Sequence, residues 1–351
     1  MKKAVLTLCA LMPIVAASQC NVTYLGGEVT DHQASSYPVA VDKDGNSYGN
    51  FSYLGMNVWG PDGSTVAVSS PEPTTAPFQL SINNKKQAIV NSDSWCWPEF
   101  RDYSTDMMIW NWEQGTKVCL KPLPFQLPEG FFSSWPQPPV TVIDDKGWVY
   151  TSVPDRGTLR NRAIVWRNNG VAVELPVLQG GLRHYINGGN TSGLVVGQAS
   201  TDGRDFRSAP IAWRSGKIER LPLPEGFTAG RAVSASSNGD IVGQGFVGRR
   251  PSGLWWSEGK VKELPLGFTP SHINRHGQII GRAGKNWLPA IYKNDEIVLI
   301  NTIMPASWRE KGYEVTLLTD INDKSEVLAK YLGGPDFRYG SVLLRGCFSN
   351  Q

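Results

Sequence analysis

One unit of sequence recurs along the chain and restricts the fold more than any other feature. Its clearest copy is Ala235-Ser236-Ser237-Asn238-Gly239-Asp240-Ile241-Val242-Gly243, followed by Leu254-Trp255-Trp256-Ser257-Glu258-Gly259-Lys260-Val261-Lys262-Glu263-Leu264-Pro265. Asn238-Gly239 between apolar residues signals a tight hairpin, because the turn needs positive φ and glycine adopts it without steric cost. Ile241 and Val242 begin the return strand, Trp256 opens a third strand, Glu258-Gly259 turns it, and Val261 with Leu264 form a fourth. Four short strands and two tight turns make one meandering antiparallel sheet. Such a sheet has two broad faces, and it buries both only by stacking against copies of itself.

Turn positions 45, 86, 147, 193, 239, 277 and 325 mark seven units, separated by 38 to 61 residues. That spacing brackets a four-stranded propeller blade with insertions in some units. The units carry Trp59, Trp110, Trp166, Trp213, Trp256 and Tyr292 at one register, which predicts packing between blades rather than sugar binding. A second echo runs from Leu127-Pro128-Glu129-Gly130-Phe131 to Leu223-Pro224-Glu225-Gly226-Phe227. The seventh unit runs out after about three strands, near Cys347, while Val22-Thr23-Tyr24-Leu25 is a strand without a unit of its own. If that strand supplies the missing outer strand, the chain closes into a ring and no edge is left exposed. The expected fold is therefore all-β, a β-propeller of seven four-stranded blades with the N-terminal strand closing the last.

The pattern Ile273-Asn274-Arg275-His276-Gly277-Gln278-Ile279-Ile280-Gly281, with an apolar residue and Trp-x-x-Gly as in residues 212–216, resembles the HAF-type repeats of exported bacterial proteins. The resemblance covers most of residues 37–345 and is clearest in units four to six. Units one, two and seven lack the Val-Gly after the turn. The resemblance implies propeller architecture and export, and it carries no catalytic residue.

The N-terminus reads as a secretory signal over residues 1–17, with Lys2 and Lys3, an apolar run over residues 4–15 and the small-residue site Val15-Ala16-Ala17. The remaining residues 18–351 form a single propeller domain. The apolar run is too short for an ordinary spanning helix, and no later stretch is a candidate. A periplasmic or secreted location follows, with a lipid anchor on Cys20 as the rival reading. Of the five cysteines, Cys9 leaves with the signal. Cys20, Cys96, Cys119 and Cys347 remain, an even number in an oxidising compartment. Four cysteines allow three pairings, and the repeat reading selects Cys96 with Cys119 inside one blade and Cys20 with Cys347 across the chain ends. The net charge of +3 is too mild to imply nucleic acid.

Loop lengths point to the working surface. In a four-stranded blade, the first-to-second and third-to-fourth turns lie on one face of the ring, and these are tight here. The second-to-third and blade-to-blade connections lie on the other face and are long, as at residues 92–106, 121–139, 154–161, 200–208 and 302–317. Loops on a rigid scaffold are where binding usually resides. That face is rich in aromatic residues and arginine: Trp95, Trp97, Arg101, Trp135, Arg156, Arg204, Phe206, Arg249, Trp287, Trp308, Phe337 and Arg338. Such residues bury large rigid area while still offering donors.

These features predict a monomeric recognition protein that binds a protein partner or a glycan, of inhibitor or immunity type, without cofactor or metal. The competing class is an envelope or polysaccharide hydrolase or lyase with carboxylates such as Asp102, Asp205 or Asp336 at the channel mouth. His272 and His276 are four apart, but they straddle a strand and a turn and should not converge.

Overall fold

The computed structural model describes residues 19–25, 36–51, 56–68, 81–92, 106–121, 140–154, 161–167, 170, 172–200, 207–334 and 338–348. Residues 1–17, the expected signal segment, lie outside them. Seven antiparallel blades surround a common axis. Blade I comprises β2 (Ser36–Val41), β3 (Ser47–Phe51), β4 (Met56–Trp59) and β5 (Thr65–Val68). Blade II comprises β6 (Gln87–Ser92), β7 (Asp106–Asn111) and β8 (Thr116–Cys119), with Ile82 bridging Ala88 in the innermost place. Blade III comprises β9 (Thr141–Ile143), β10 (Val149–Pro154), β11 (Asn161–Trp166) and β12 (Ala172–Glu174). Blade IV comprises β13 (Arg183–Gly189), β14 (Val195–Ser200), β15 (Ser208–Arg214) and β16 (Lys217–Arg220). Blade V comprises β17 (Ala229–Ala235), β18 (Ile241–Val247), β19 (Arg250–Ser257) and β20 (Lys260–Glu263). Blade VI comprises β21 (Phe268–Ile273), β22 (Ile279–Ala283), β23 (Leu288–Lys293) and β24 (Glu296–Leu299). Blade VII comprises β25 (Tyr313–Ile321), β26 (Val327–Gly333) and β27 (Arg338–Arg345), and its outer strand is β1 (Asn21–Tyr24).

The closure expected from the sequence is present. β1 pairs antiparallel with β27, from Asn21 opposite Arg345 to Tyr24 opposite Val342. Cys20 and Cys347 form a disulfide beside this pair. Arg345 adds a polar clasp: its Nε donates to Glu326 Oε1 at 2.6 Å, one terminal nitrogen to Thr23 Oγ1 at 2.8 Å, and the other to the Pro61 carbonyl at 2.6 Å. Cys119 is also disulfide-bonded. Cys96, its expected partner, lies outside the described residues.

All seven marked turn residues have positive φ, from 63° at Lys86 to 96° at Gly239. Their geometry differs from the two-residue hairpin that Asn238-Gly239 suggests. Asn238 is not among the positive-φ residues, and the turn spans four residues, with the Gly239 N–H donating to the Ser236 carbonyl at 3.1 Å. The two-residue turns are instead the third-to-fourth ones. At Ser215-Gly216, Glu258-Gly259 and Asn294-Asp295 both residues have positive φ. Trp256 likewise lies near the end of β19 rather than opening it.

The tryptophans pack between blades. Trp59, Trp110, Trp166, Trp213 and Trp256 are all buried. Three of them donate their indole N–H to the strand-to-strand connection leaving the preceding blade: Trp166 to Lys121 O at 2.9 Å, Trp213 to Pro176 O at 2.8 Å and Trp256 to Pro222 O at 2.6 Å. Each ring thus fills an apolar seam and secures the chain that crosses it, using both its apolar body and its polar edge.

The glycine closing the repeat has a steric cause. A Cβ at Gly197, Gly243 or Gly281 would lie 1.8, 2.1 or 2.1 Å from an inner-strand carbonyl oxygen. In each of these blades the inner pairing shifts register just beyond that contact, as a β-bulge does. In blade I the place is held by Gly49, opposite Pro38 at the same kind of shift. Unit one therefore keeps the glycine that the Val-Gly pattern hid.

Candidate functional site

The first turn of each blade opens with Asp or Asn, except in blade V, where it is Ser236. Asp42, Asn83, Asp144, Asn190, Asn274 and Asn322 each accept the N–H groups two and four residues on, at 2.8 to 3.1 Å. An Asn amide then has donors to spare, and these reach the neighbouring blade. Asn83 donates to Asp144 O at 2.8 Å, Asn190 to Ser236 O at 2.5 Å, Asn274 to Asn322 O at 3.0 Å and Asn322 to Asp42 O at 2.8 Å. In blade V, Asn238 takes over and donates to Arg275 O at 3.1 Å. An aspartate has no donor, and its two junctions are closed otherwise. The Asp145 N–H reaches Thr191 O at 2.7 Å, and Lys86 Nζ reaches Asp42 Oδ2 at 2.8 Å. All seven junctions are therefore hydrogen-bonded around the axis. The repeated Asn belongs to the scaffold, and the scaffold is stiff.

That belt leaves the opposite face as the variable one. Among the described residues, ten large apolar side chains are exposed: Val66, Val118, Val173, Val177, Leu182, Val247, Leu266, Trp287, Leu288 and Tyr339. The first three lie on outer strands of blades I to III. The other seven sit on second-to-third or blade-to-blade connections, or at the strand ends beside them, and none lies on a first-to-second or third-to-fourth turn. Leu266 is 93% exposed. Trp287 is 50% exposed and is held at φ 54°. A bulky side chain in the left-handed region carries strain, and such strain concentrates at working sites.

The expected site residues divide as follows. Trp95, Trp97, Arg101, Trp135, Arg156, Arg204, Phe206 and Phe337 lie outside the described residues, as do Asp102, Asp205 and Asp336. Arg338 opens β27, opposite Gly333. Arg249 is exposed in the turn Gly248-Arg249, and Trp287 ends the turn begun at Gly284. Both are on the expected face, but on short turns: β18 pairs directly onto β19 through Val247 and Arg250.

Trp308 is a correction. The stretch at residues 302–317 is not an open loop. It holds a short helix, α1 (Ala306–Glu310), and the first half of the nine-residue strand β25. The helix folds Trp308 inward to 3% exposure, among Tyr24, Tyr313 and Tyr331 at ring-centroid distances of 5.6, 5.0 and 5.2 Å. A ring so enclosed braces the closure strand through Tyr24 and offers no surface to a partner.

The central channel expected of a ring is a cavity of about 820 Å³ that runs along the inner strands and opens among the first turns, and sequence reasoning did not identify the residues of its wall. His272 and Asp320 occupy equivalent places on β21 and β25, two residues before the turn Asn. Burial holds the His272 imidazole below its ordinary pKa and lifts the Asp320 carboxyl above its own. Asp320 Oδ2 accepts the Val41 N–H of blade I at 2.9 Å, and Oδ1 accepts the Ile321 N–H at 2.8 Å. Oδ2 thus ties blade I to blade VII, while Oδ1 is held by the next residue of its own strand. His276 stands apart on the exposed turn, where its Nε2 lies 3.0 Å from Asp323 O.

The chain matches no known family model and no curated protein. Among solved structures it is similar to the β-propeller domain of the trilobed protease from Pyrococcus furiosus, with 9% identity, a TM-score of 0.55, and coverage of 89% of this chain and 96% of that one. The chain is a β-propeller. It is also similar to a puromycin-hydrolysing peptidase from Mycobacterium tuberculosis, with 11% identity and a TM-score of 0.53. There the coverage is 93% of this chain and 52% of that one, so this propeller spans about half of that peptidase. Identities this low show the fold alone. The Pyrococcus domain has an open velcro topology, whereas here β1 pairs with β27. Among the described residues no helix is long and apolar enough to cross a membrane.

Proposed function

We propose that this chain is an exported recognition protein of the HAF-repeat type. It holds a protein partner or a glycan on the long-connection face of its ring, as an inhibitor or immunity-type binder would. The observation that supports this reading is the one-sided distribution of exposed apolar side chains. Seven of the ten among the described residues fall on that face. Burying an exposed side chain of this size contributes roughly 1.5–3 kcal/mol, so a few of them supply useful affinity. The belt of hydrogen bonds and the disulfide closure fix the platform in advance, which lowers the ordering cost of binding. Trp287 is the anchor of the described part of this face, and Leu266 is its most exposed apolar contact.

The test compares the mature protein with Leu266→Ser/Trp287→Ala, a pair whose side chains lie outside the core. Each is used as bait against the envelope fraction of the producing cell and against a glycan array. The reading predicts one stoichiometric protein, or one glycan class, retained by the first bait and reduced at least about tenfold with the second. Equal retention by both baits would remove the face from consideration.

A further inference from the structure

The central channel has the size and the charge arrangement of a second site. Its volume of about 820 Å³ falls within the range of small-molecule pockets, roughly 300–1,000 Å³, and excludes a folded partner. The charges along its wall are committed unequally. Three aspartates line it, and the scaffold uses all of them. Asp42 accepts the Asp44 and Asn46 N–H groups, the Tyr48 hydroxyl and Lys86. Asp320 accepts two backbone N–H groups. Asp323 accepts the Arg275 N–H at 2.9 Å and the Ser237 hydroxyl at 2.7 Å.

Four cations line the same cavity, and the scaffold makes weaker use of the three at its mouth. Among the described residues, Lys324 Nζ donates to a carbonyl alone, Asp44 O at 3.1 Å. Arg275 Nε lies 3.3 Å from the neighbouring His276 ring. Lys43 pairs at 2.9 Å with Asp44 in an exposed ion pair, which a bound anion can exchange at small cost. These three residues stand on consecutive blades, VI, VII and I. Lys330 lies on β26, below them in the throat, where burial holds its ammonium below the ordinary lysine pKa. Blades I, III and V also contribute apolar side chains to the lining, Val39, Val142 and Val233.

We propose that the channel, entered from the tight-turn face, binds a small organic anion bearing carboxylate or phosphate groups. Lys43, Arg275 and Lys324 hold its charged groups at the mouth, Lys330 holds the inserted end, and the valines face its uncharged body. Hydrogen bonds between ionised partners are the strong ones, and a narrow wall of low polarity strengthens them further. This site lies on the face opposite the proposed recognition surface, so each stands or falls separately.

The experiment is calorimetric titration of the mature protein at low ionic strength with citrate, glucose 6-phosphate and glucose. The first two distinguish carboxylate from phosphate, and the third is the uncharged control. The expected result is saturable binding of at least one anion and none of glucose. Affinity should fall at least about tenfold in Arg275→Ala/Lys324→Ala and in Lys330→Met. It should stay within about twofold in Lys217→Ala/Lys260→Ala, which removes the same charge from the outer turns. Should Lys330→Met fail to fold, amine acylation of the unaltered protein reads the same point, since bound anion should protect Lys330 and Lys324 but not Lys217. Absence of binding by both anions, equal weakening in the outer-turn variant, or an unprotected Lys330 would overturn the proposal.

Discussion

Replacing Asn322 by alanine tests whether the hydrogen-bonded belt holds the ring. Asn322 is buried at the junction of blades VII and I and makes four bonds. Its Oδ1 accepts the N–H groups of Lys324 and Glu326, both at 3.0 Å. Its Nδ2 donates to Asp42 O at 2.8 Å and to Glu326 Oε2 at 2.7 Å. Each bond is worth about 1 kcal/mol net, and buried groups left without partners cost more. The lysine N–H lies near the surface and regains water, so the expected loss is about 3–4 kcal/mol. With a urea m-value near the upper end of the usual range, about 3 kcal/mol/M, the midpoint should fall by about 1 M. Tryptophan fluorescence with the disulfides intact reads this directly, because Trp59 and Trp110 lie in nearby seams. Asn322→Asp keeps the acceptor but sets an oxygen against the Glu326 carboxylate, so its deficit should shrink as the pH falls and the new carboxyl protonates. A midpoint shift below about 0.3 M for Asn322→Ala would refute the reasoning.

Other consequences follow from the same structure. Replacing Cys347 by serine frees chain ends 327 residues apart. It should cost up to about 5 kcal/mol in the chain-entropy model, read as a lowered midpoint in non-reducing urea unfolding. Trp213→Phe keeps the apolar fill but removes the 2.8 Å bond to Pro176 O, and should cost about 1–2 kcal/mol, against about 3–5 kcal/mol for Trp213→Ala, by the same assay. His184 and His272 are both held below the ordinary imidazole pKa by burial, and His184 Nε2 accepts the Leu178 N–H at 2.9 Å. A folded pKa below the unfolded value gives stability that is present above the unfolded pKa, about 6.5, and lost as pH falls toward the folded one. Melting temperature should therefore drop on acidification below about pH 6.5, and His184→Gln should flatten that slope.

The ring was legible because it rests on local chemistry that repeats. All seven positive-φ positions could be read from glycine and polar turn residues, and the seam tryptophans from their constant register. Turn length was harder to read. Asn238-Gly239 carries the signal of a two-residue turn, but Ser236 captures the backbone two residues earlier and lengthens it. Gly49 was overlooked because Tyr48 replaces the valine before it. Trp308 misled because a short amphipathic stretch after a proline reads as a loop, while its burial depends on Tyr24, nearly 300 residues away in sequence. A channel follows from any such ring, but the residues of its wall had no sequence signal. His272, Asp320 and Lys330 acquire meaning only when blades VI and VII stand side by side, and nothing in the spacing of one unit announces its neighbour's wall.

The most direct test of the proposed recognition face is site-specific photocrosslinking in the producing cell. A photoreactive phenylalanine would be placed in turn at Leu266 and Trp287 on the long-connection face, and at Lys217 and Lys260 on the tight-turn face. Discrete adducts from the first two positions, and none from the second two, are the predicted result. Adducts confined to the tight-turn positions, or equal labelling from both faces, would contradict it.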